Sequence, residues 1–149
     1  MSLQTDAIFV KALRSNSALL DLLPAGDVYN TAIALPEEQA LNAPLPYVIV
    51  SFDGLNAQDG TKDNCYRSVS DQVSIGVEVA ADTREQLASL AIEVRVTIEG
   101  YFQDHAGTGD DDDDLIPYSM SLHADKVQYD SLKPCYWQSM TYECDTNPD

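Results

Sequence analysis

The apolar positions of this chain change period several times, and each change marks an element. Ile8, Phe9, Ala12 and Leu13 recur at helical spacing, with Thr5 or Asp6 as the expected cap. Ser15-Asn16-Ser17 interrupts that pattern, because these side chains compete for backbone hydrogen bonds. A second short helical stretch runs from Ala18 to Leu23 and ends at Pro24-Ala-Gly26. Both apolar stripes read as core faces. Val28-Tyr29-Asn30 reads as a short extended segment. Residues 31–44 have little periodicity and contain Pro36 and Pro44, so they read as a long loop, of the kind that in compact domains is functional or disordered. Pro46 then opens an extended segment whose Tyr47–Phe52 stretch is rich in β-branched and aromatic residues.

The polar stretch from Gly54 to Asn64 reads as a mobile hairpin loop, within a loop spanning about 54–67. The clearest strand follows it. Val69, Asp71, Val73, Ile75, Val77 and Val79 alternate with Ser70, Gln72, Ser74, Gly76 and Glu78, which predicts one face on a core and one facing water or a partner. Asp71 is the exception. Asp82-Thr-Arg-Glu85 reads as a capping box. Leu87, Leu90, Ala91, Val94 and Ile98 then form one stripe of a helix over 82–99, with Gly100 as the residue after its cap. A second flexible loop, 103–115, carries five consecutive aspartates, Asp110 to Asp114.

Beyond that loop Ile116, Tyr118, Met120 and Leu122 alternate with polar residues. The phase slips near Ala124 to Lys126, so that Val127 and Tyr129 carry the apolar face, as a bulge would produce. Leu132-Lys-Pro134 turns the chain, and Tyr136, Gln138, Met140, Tyr142 and Cys144 share one face of a last strand before a polar tail, 145–149. The pattern predicts a single α+β domain over residues 1–149: a mostly antiparallel β-sheet packed against one long helix plus short N-terminal helices.

A chain of 149 residues can bury roughly 68–70% of its unfolded surface, so it needs neither disulfides nor metal to fold. No apolar run approaches the roughly 18 residues of a membrane span, and no basic start with an apolar h-region is visible. The expectation is synthesis in the cytoplasm. The formal charge is −17, from 8 basic and 25 acidic residues. Nucleic-acid affinity comes largely from Lys and Arg neutralising phosphate, so stable DNA or RNA binding is not expected, and an anionic membrane is an equally poor partner. The charge is uneven: residues 97–149 hold 12 acids against Lys126 and Lys133.

Candidate chemistry is sparse. Cys65, Cys135 and Cys144 form no CxxC pair and an odd count, which suits free thiols better than a disulfide framework or a zinc site. His105 lies in the loop before the aspartates and His123 on the polar phase of a strand. No nucleophile elbow, phosphate loop or HExxH occurs. Contiguous Asp110–Asp114 lacks the alternate ligand spacing of a calcium loop. Its readings are a solvated, self-repelling loop, a weak divalent-ion site, or a working acidic surface. Tyr136 and Trp137 could suggest a stacking platform, but such platforms come with a basic groove. No enzyme activity, catalytic residue, cofactor or metal is expected.

The order of segments resembles the tail-completion (tail-terminator, or head–tail joining) proteins of long-tailed bacteriophages and prophages. The resemblance covers residues 3–145. It lies in the leucine-rich helical start, Ile8 to Leu23, and Val28-Tyr29 after the turn. It continues in the strand Pro44-Leu-Pro46-Tyr47-Val48-Ile49-Val50, and in Val73-Ser-Ile75-Gly-Val77 leading to a helix that begins at Asp82. The loops 54–67 and 103–115 are longer than the usual compact pattern, which leaves contacts at a ring's rim or bore open. The resemblance implies a structural virion protein. It implies a ring, often hexameric, at the head-proximal end of the tail tube, with itself, the tube protein and the head connector as partners, and DNA passing through without being bound. The alternative is a small cytoplasmic ligand-binding α+β module or an unrecognised hydrolase.

Overall fold

The computed structural model describes residues 2–30, 44–59 and 68–147. The expected loop at 31–43, the tip 60–67 with Cys65, and residues 148–149 of the tail lie outside the described residues.

Helix α1 (Thr5–Arg14) follows a 3-10 turn, Ser2–Gln4, and is separated by Ser15-Asn16 from α2 (Ser17–Asp21). Thr5 and Asp6 are therefore the first helical residues, not the cap. Gln4 holds the N-cap position without a side-chain hydrogen bond, and Thr5 and Asp6 are buried. Asp6 lies in the first turn, where the helix dipole favours an anion. The break at Asn16 is specific. Its Oδ1 accepts from the N–H groups of Ala18 (3.1 Å) and Leu19 (3.3 Å), capping α2. Its Nδ2 donates to Glu93 Oε1 (2.8 Å) and Thr97 Oγ1 (2.9 Å), fastening the elbow to the long helix.

Among the described residues six strands form one mixed sheet: β1 (Tyr29–Asn30), β2 (Tyr47–Asp59), β3 (Ser68–Ala81), β4 (Ser119–Ala124), β5 (Gln128–Asp130) and β6 (Cys135–Thr146). The order is β1-β2-β3-β6-β4, with β5 also on β6, and only β1 with β2 is a parallel pair. With the long helix α3 (Arg84–His105) this is an α+β fold. Val73, Ile75, Val77 and Val79 of β3 are fully buried, as their alternation predicts.

Several boundaries differ from the sequence expectation: β4 begins at Ser119 rather than Ile116, and β6 runs through Asp145 and Thr146, the first residues of the expected tail, because both pair with β3. Gly54–Asp59 is strand, not hairpin loop: β2 pairs with β3 as far as Asp59↔Ser68. A bulge hid the pattern. Asp53 is an extra residue between Phe52↔Ile75 and Gly54↔Ser74, and it returns Leu55 to the core side opposite Val73. The long helix starts at Arg84, two residues inside the expected 82–99, with Thr83 rather than Asp82 as N-cap. Thr83 Oγ1 accepts from Gln86 N–H at 3.1 Å, and Gln86 Oε1 accepts from Asp82 N–H at 3.3 Å, a variant of the capping box whose return bond reaches the residue before the cap. It also runs through Gly100 to His105, so residues 103–105 are helix rather than loop. Phe102 continues the buried stripe of Leu87, Leu90, Val94 and Ile98. One buried aromatic, worth about 1.5–3 kcal/mol, outweighs the roughly 0.5–1 kcal/mol cost of an interior glycine. The glycine after the helix cap is Gly107, at φ 71°, where a residue without Cβ is favoured.

The expected phase slip is present. β4 and β5 lie on the same edge of β6, from Ser119↔Asp145 to Ala124↔Met140 and from Gln128↔Trp137 to Asp130↔Cys135. Residues 125–127 oppose only 138–139, a one-residue bulge held by Asp125 N–H to the Ser139 carbonyl (2.9 Å) and Gln138 Nε2 to the Asp125 carbonyl (2.9 Å). Helices α1 and α3 cover one face of the sheet. Phe9 is the centre of that layer, its ring edge-on to Phe102 (5.1 Å) and to Tyr142 of β6 (5.2 Å).

Candidate functional site

The helices leave the opposite face of the sheet without a described element packed on it. The register defines that face. It carries Ser51 of β2, Ser74, Gly76 and Glu78 of β3, Ser139, Thr141, Glu143 and Asp145 of β6, and Ser121 and His123 of β4. It is therefore a hydroxyl-rich surface whose formal charges are mainly carboxylates. Ser74 Oγ donates to Glu143 Oε2 at 2.7 Å, and Ser51 Oγ to Asp53 Oδ1 at 2.7 Å. Gly76 lets Ser51 and Asp53 fold across β3: a Cβ there would stand 2.5 Å from Asp53 Oδ2 and 2.6 Å from Ser51 Oγ.

At one end of this face Tyr47, Ala80 and Trp137 form a row, with Glu78 in the next row between Ile49 and Ser139. Burial first, and then the carboxylate of Glu78, pushes the Tyr47 hydroxyl up to about 12. Burial also pushes the Glu78 carboxyl up. Nothing in the sequence marked Glu78 or Tyr47 as a pair; only strand register brings them together.

The aspartate run is built into the fold, which corrects its reading as a self-repelling solvated loop. Asp112 is buried and accepts from Lys11 Nζ of α1 (2.6 Å) and from the Tyr101 hydroxyl of α3. The Lys11 ammonium, more than any other group, holds its carboxyl below the usual range. Asp113 accepts from the N–H groups of Gly107 (2.6 Å) and Gly109 (3.1 Å), both glycines in the left-handed region. Asp110 meets His105 Nδ1 at 2.9 Å and accepts from Asp112 N–H at 3.1 Å. The His105 contact is the main reason its carboxyl lies below the usual range. Asp111 and Asp114 are exposed. No local pattern foretells the Lys11–Asp112 contact, which spans 101 positions.

The remaining candidates stay apart. His105 pairs with Asp110, and His123 with Asp125 at 3.1 Å. Cys135 and Cys144 are free and buried, nine positions apart on one strand and so on opposite faces. Burial pushes both thiols up, Cys144 to about 12, away from the reactive thiolate. Tyr136 faces the core side and touches Tyr129 (5.1 Å between ring centroids), whereas Trp137 faces the open side.

Among the described residues no three His, Cys, Asp or Glu side chains are grouped to hold a metal ion. Concavities lie among the described residues. One of about 370 Å³ is lined by Ala7, Val10, Lys11, Arg14 and Asn30, but Lys11 is engaged by Asp112 and Arg14 by Asp27 (2.8 Å). Another, of about 250 Å³, lies between Phe102 of α3 and Met120 of β4. No described helix is long and apolar enough to cross a membrane. No protein-family model matches the sequence, and no curated protein matches it.

Proposed function

We propose that this chain is a structural tail-completion protein of a long-tailed phage or prophage, acting through protein–protein contacts at the head-proximal end of the tail. The observation that carries the proposal is the one-sided architecture. Helices cover one face of a six-stranded sheet, and the other face, polar and acidic, has no described element on it. A sheet of this size whose other face carries no described element offers a broad surface of the kind that suits docking between subunits. The element order keeps the segment order on which the family resemblance rests: two short helices, a short strand, a proline-led strand, its hairpin partner, a long helix and the last strands. The charge of −17 suits a bore through which DNA slides, since carboxylates repel phosphate.

The test is a knockout of the gene in the phage or prophage that carries it. The expected result is unjoined heads and tails, or tails of abnormal length, seen by electron microscopy and reversed by the gene in trans. Normal infectious particles from the knockout overturn the proposal.

A further inference from the structure

Strand β4 forms one edge of the sheet: among the described residues it pairs with β6 alone. The Asp125 N–H reaches the Ser139 carbonyl at 2.9 Å, and antiparallel bonding alternates from that pair. Ser121 and His123 therefore turn their backbone groups toward β6, while Met120, Leu122 and Ala124 turn theirs outward. A row of donors and acceptors that no described strand meets is a template for a further strand. Little in the sequence blunts this edge. Ser119–Ala124 contains no proline, lysine or carboxylate, and the bulge at 125–127 comes only after the strand's six residues. The side chains divide by face. Met120, Leu122 and Ala124 stand opposite Cys144, Tyr142 and Met140 on the core side, with Met120 and Leu122 half-buried at the rim. Beside Met120 lies the concavity of about 250 Å³, whose other wall is Phe102, Gln103 and Ala106 at the end of α3. Ser119, Ser121 and His123 are exposed on the open face, and the two serines adjoin Asp145 and Glu143 of β6.

We infer that β4 receives an antiparallel strand from a protein partner, a segment matching its six residues in which apolar and basic side chains alternate. The inference rests on the proposed role in docking to other proteins. Backbone bonds along Met120, Leu122 and Ala124 supply the affinity, and the alternate side chains supply the selection. On the core side, an apolar residue facing Met120 covers its exposed flank and enters the concavity against Phe102. On the open face, a basic residue facing Ser119 or Ser121 extends its long stem over that short hydroxyl to Asp145 or Glu143, one strand further in. The charge of the whole chain selects the same partner, since −17 attracts a basic segment. The β4 edge of a second copy fits less well. Ser119–Ala124 has no lysine or arginine to offer those carboxylates, and two chains of this charge repel.

The probe is the peptide acetyl-Val-Arg-Val-Arg-Val-Arg amide, titrated into the isotope-labelled full chain while its backbone amide resonances are followed. The comparators are the same peptide with glutamate for arginine, and two versions N-methylated at every valine or at every arginine. In an antiparallel addition the valines share the face of Met120 and carry the bonds to β4, so only their methylation blocks it. The expected result is saturable binding that shifts the amides of Met120, Leu122 and Ala124 and protects them from hydrogen exchange. Binding persists with methylated arginines and is lost with methylated valines and with glutamate. It weakens about two- to tenfold in Ala124→Pro, which removes one outward donor at an exposed edge position; circular dichroism checks that this variant is folded. No saturable binding, or binding that leaves the three β4 amides unmoved, overturns the inference. So does equal binding of the two methylated peptides, or of the arginine and glutamate peptides. Each failure leaves the knockout phenotype untouched, so the edge strand and the tail role fall separately.

Discussion

Among the described residues Tyr142 is the largest fully buried side chain, and its hydroxyl has no hydrogen-bond partner there. The charged groups of α3 that bear on it, Glu99 and Arg95, pair with each other at 3.0 Å instead. Its ring is well used, edge-on to Phe9 at 5.2 Å. Tyr142→Phe keeps that ring and removes only the oxygen. An unsatisfied buried hydroxyl costs about 1–3 kcal/mol. The void left behind, roughly 10–15 Å³, costs about 0.3 kcal/mol at ~24 cal/mol per Å³. The net expectation is a gain of about 1–2 kcal/mol. For a chain near this length that raises Tm by roughly 2–8 °C.

Urea denaturation of the two proteins, followed by circular dichroism, measures the difference, with an unchanged m-value as the check that only stability has moved. Tyr142→Ala is the opposing control and should cost about 3–5 kcal/mol, because it also removes the ring. A loss of 1 kcal/mol or more in Tyr142→Phe refutes the reasoning, since it means that the hydroxyl holds a hydrogen bond in solution.

Two further outcomes follow from corrected boundaries. Gly100→Ala should stabilise the protein by about 0.5–1 kcal/mol, because Gly100 lies inside α3 with nothing within 4 Å of a new Cβ; a loss in thermal denaturation would instead place it in a left-handed cap. Asp112→Asn should lower stability by about 1.5–3 kcal/mol at neutral pH, through loss of the charge-assisted bond to Lys11. The Asp112 carboxyl is depressed in the folded state, so its contribution is present above the ordinary carboxylate value of 3.8 and is lost as pH falls through the folded-state value. Urea midpoints between neutral pH and acid should therefore fall less steeply for Asp112→Asn than for the unaltered chain, and parallel curves would deny the contact.

What the sequence disclosed was what local periodicity encodes. The β3 alternation, the Asn16 break, the one-residue slip after Ala124 and the core stripe of α3 are all set by neighbours within a few positions. The misplaced ends share a different cause. Gly54–Asp59 is polar and reads as loop, yet pairing with β3 satisfies its backbone whatever its side chains prefer. Gly100 reads as a stop, yet Phe102 beyond it finds Phe9, 93 positions away, and tertiary burial overrides the propensity. The candidate surface was legible only as a polar phase of β3. Its row of Tyr47, Ala80 and Trp137 depends on the register of three strands, which no spacing along the chain reveals.

The same distinction divides the acidic charge by role. A net charge of −17 invites the view that the aspartate run is the working surface, because it is the densest acid in the chain. Its geometry argues otherwise. Asp112 joins α1 to α3, Asp113 closes the turn over Gly107 and Gly109, and Asp110 holds His105. These carboxylates accept bonds from the fold itself and are committed to it. Those on the open face are different: among the described residues Glu143 accepts from a serine hydroxyl and from no cation, and Glu78 is half-buried without an ion pair. A carboxylate that already has its cation gains little from a new one, whereas a desolvated and unmatched one gains a good deal. If this protein docks through charge, the contact belongs on the sheet face opposite the helices, and Asp110, Asp112 and Asp113 of the conspicuous run keep the end of α3 in place.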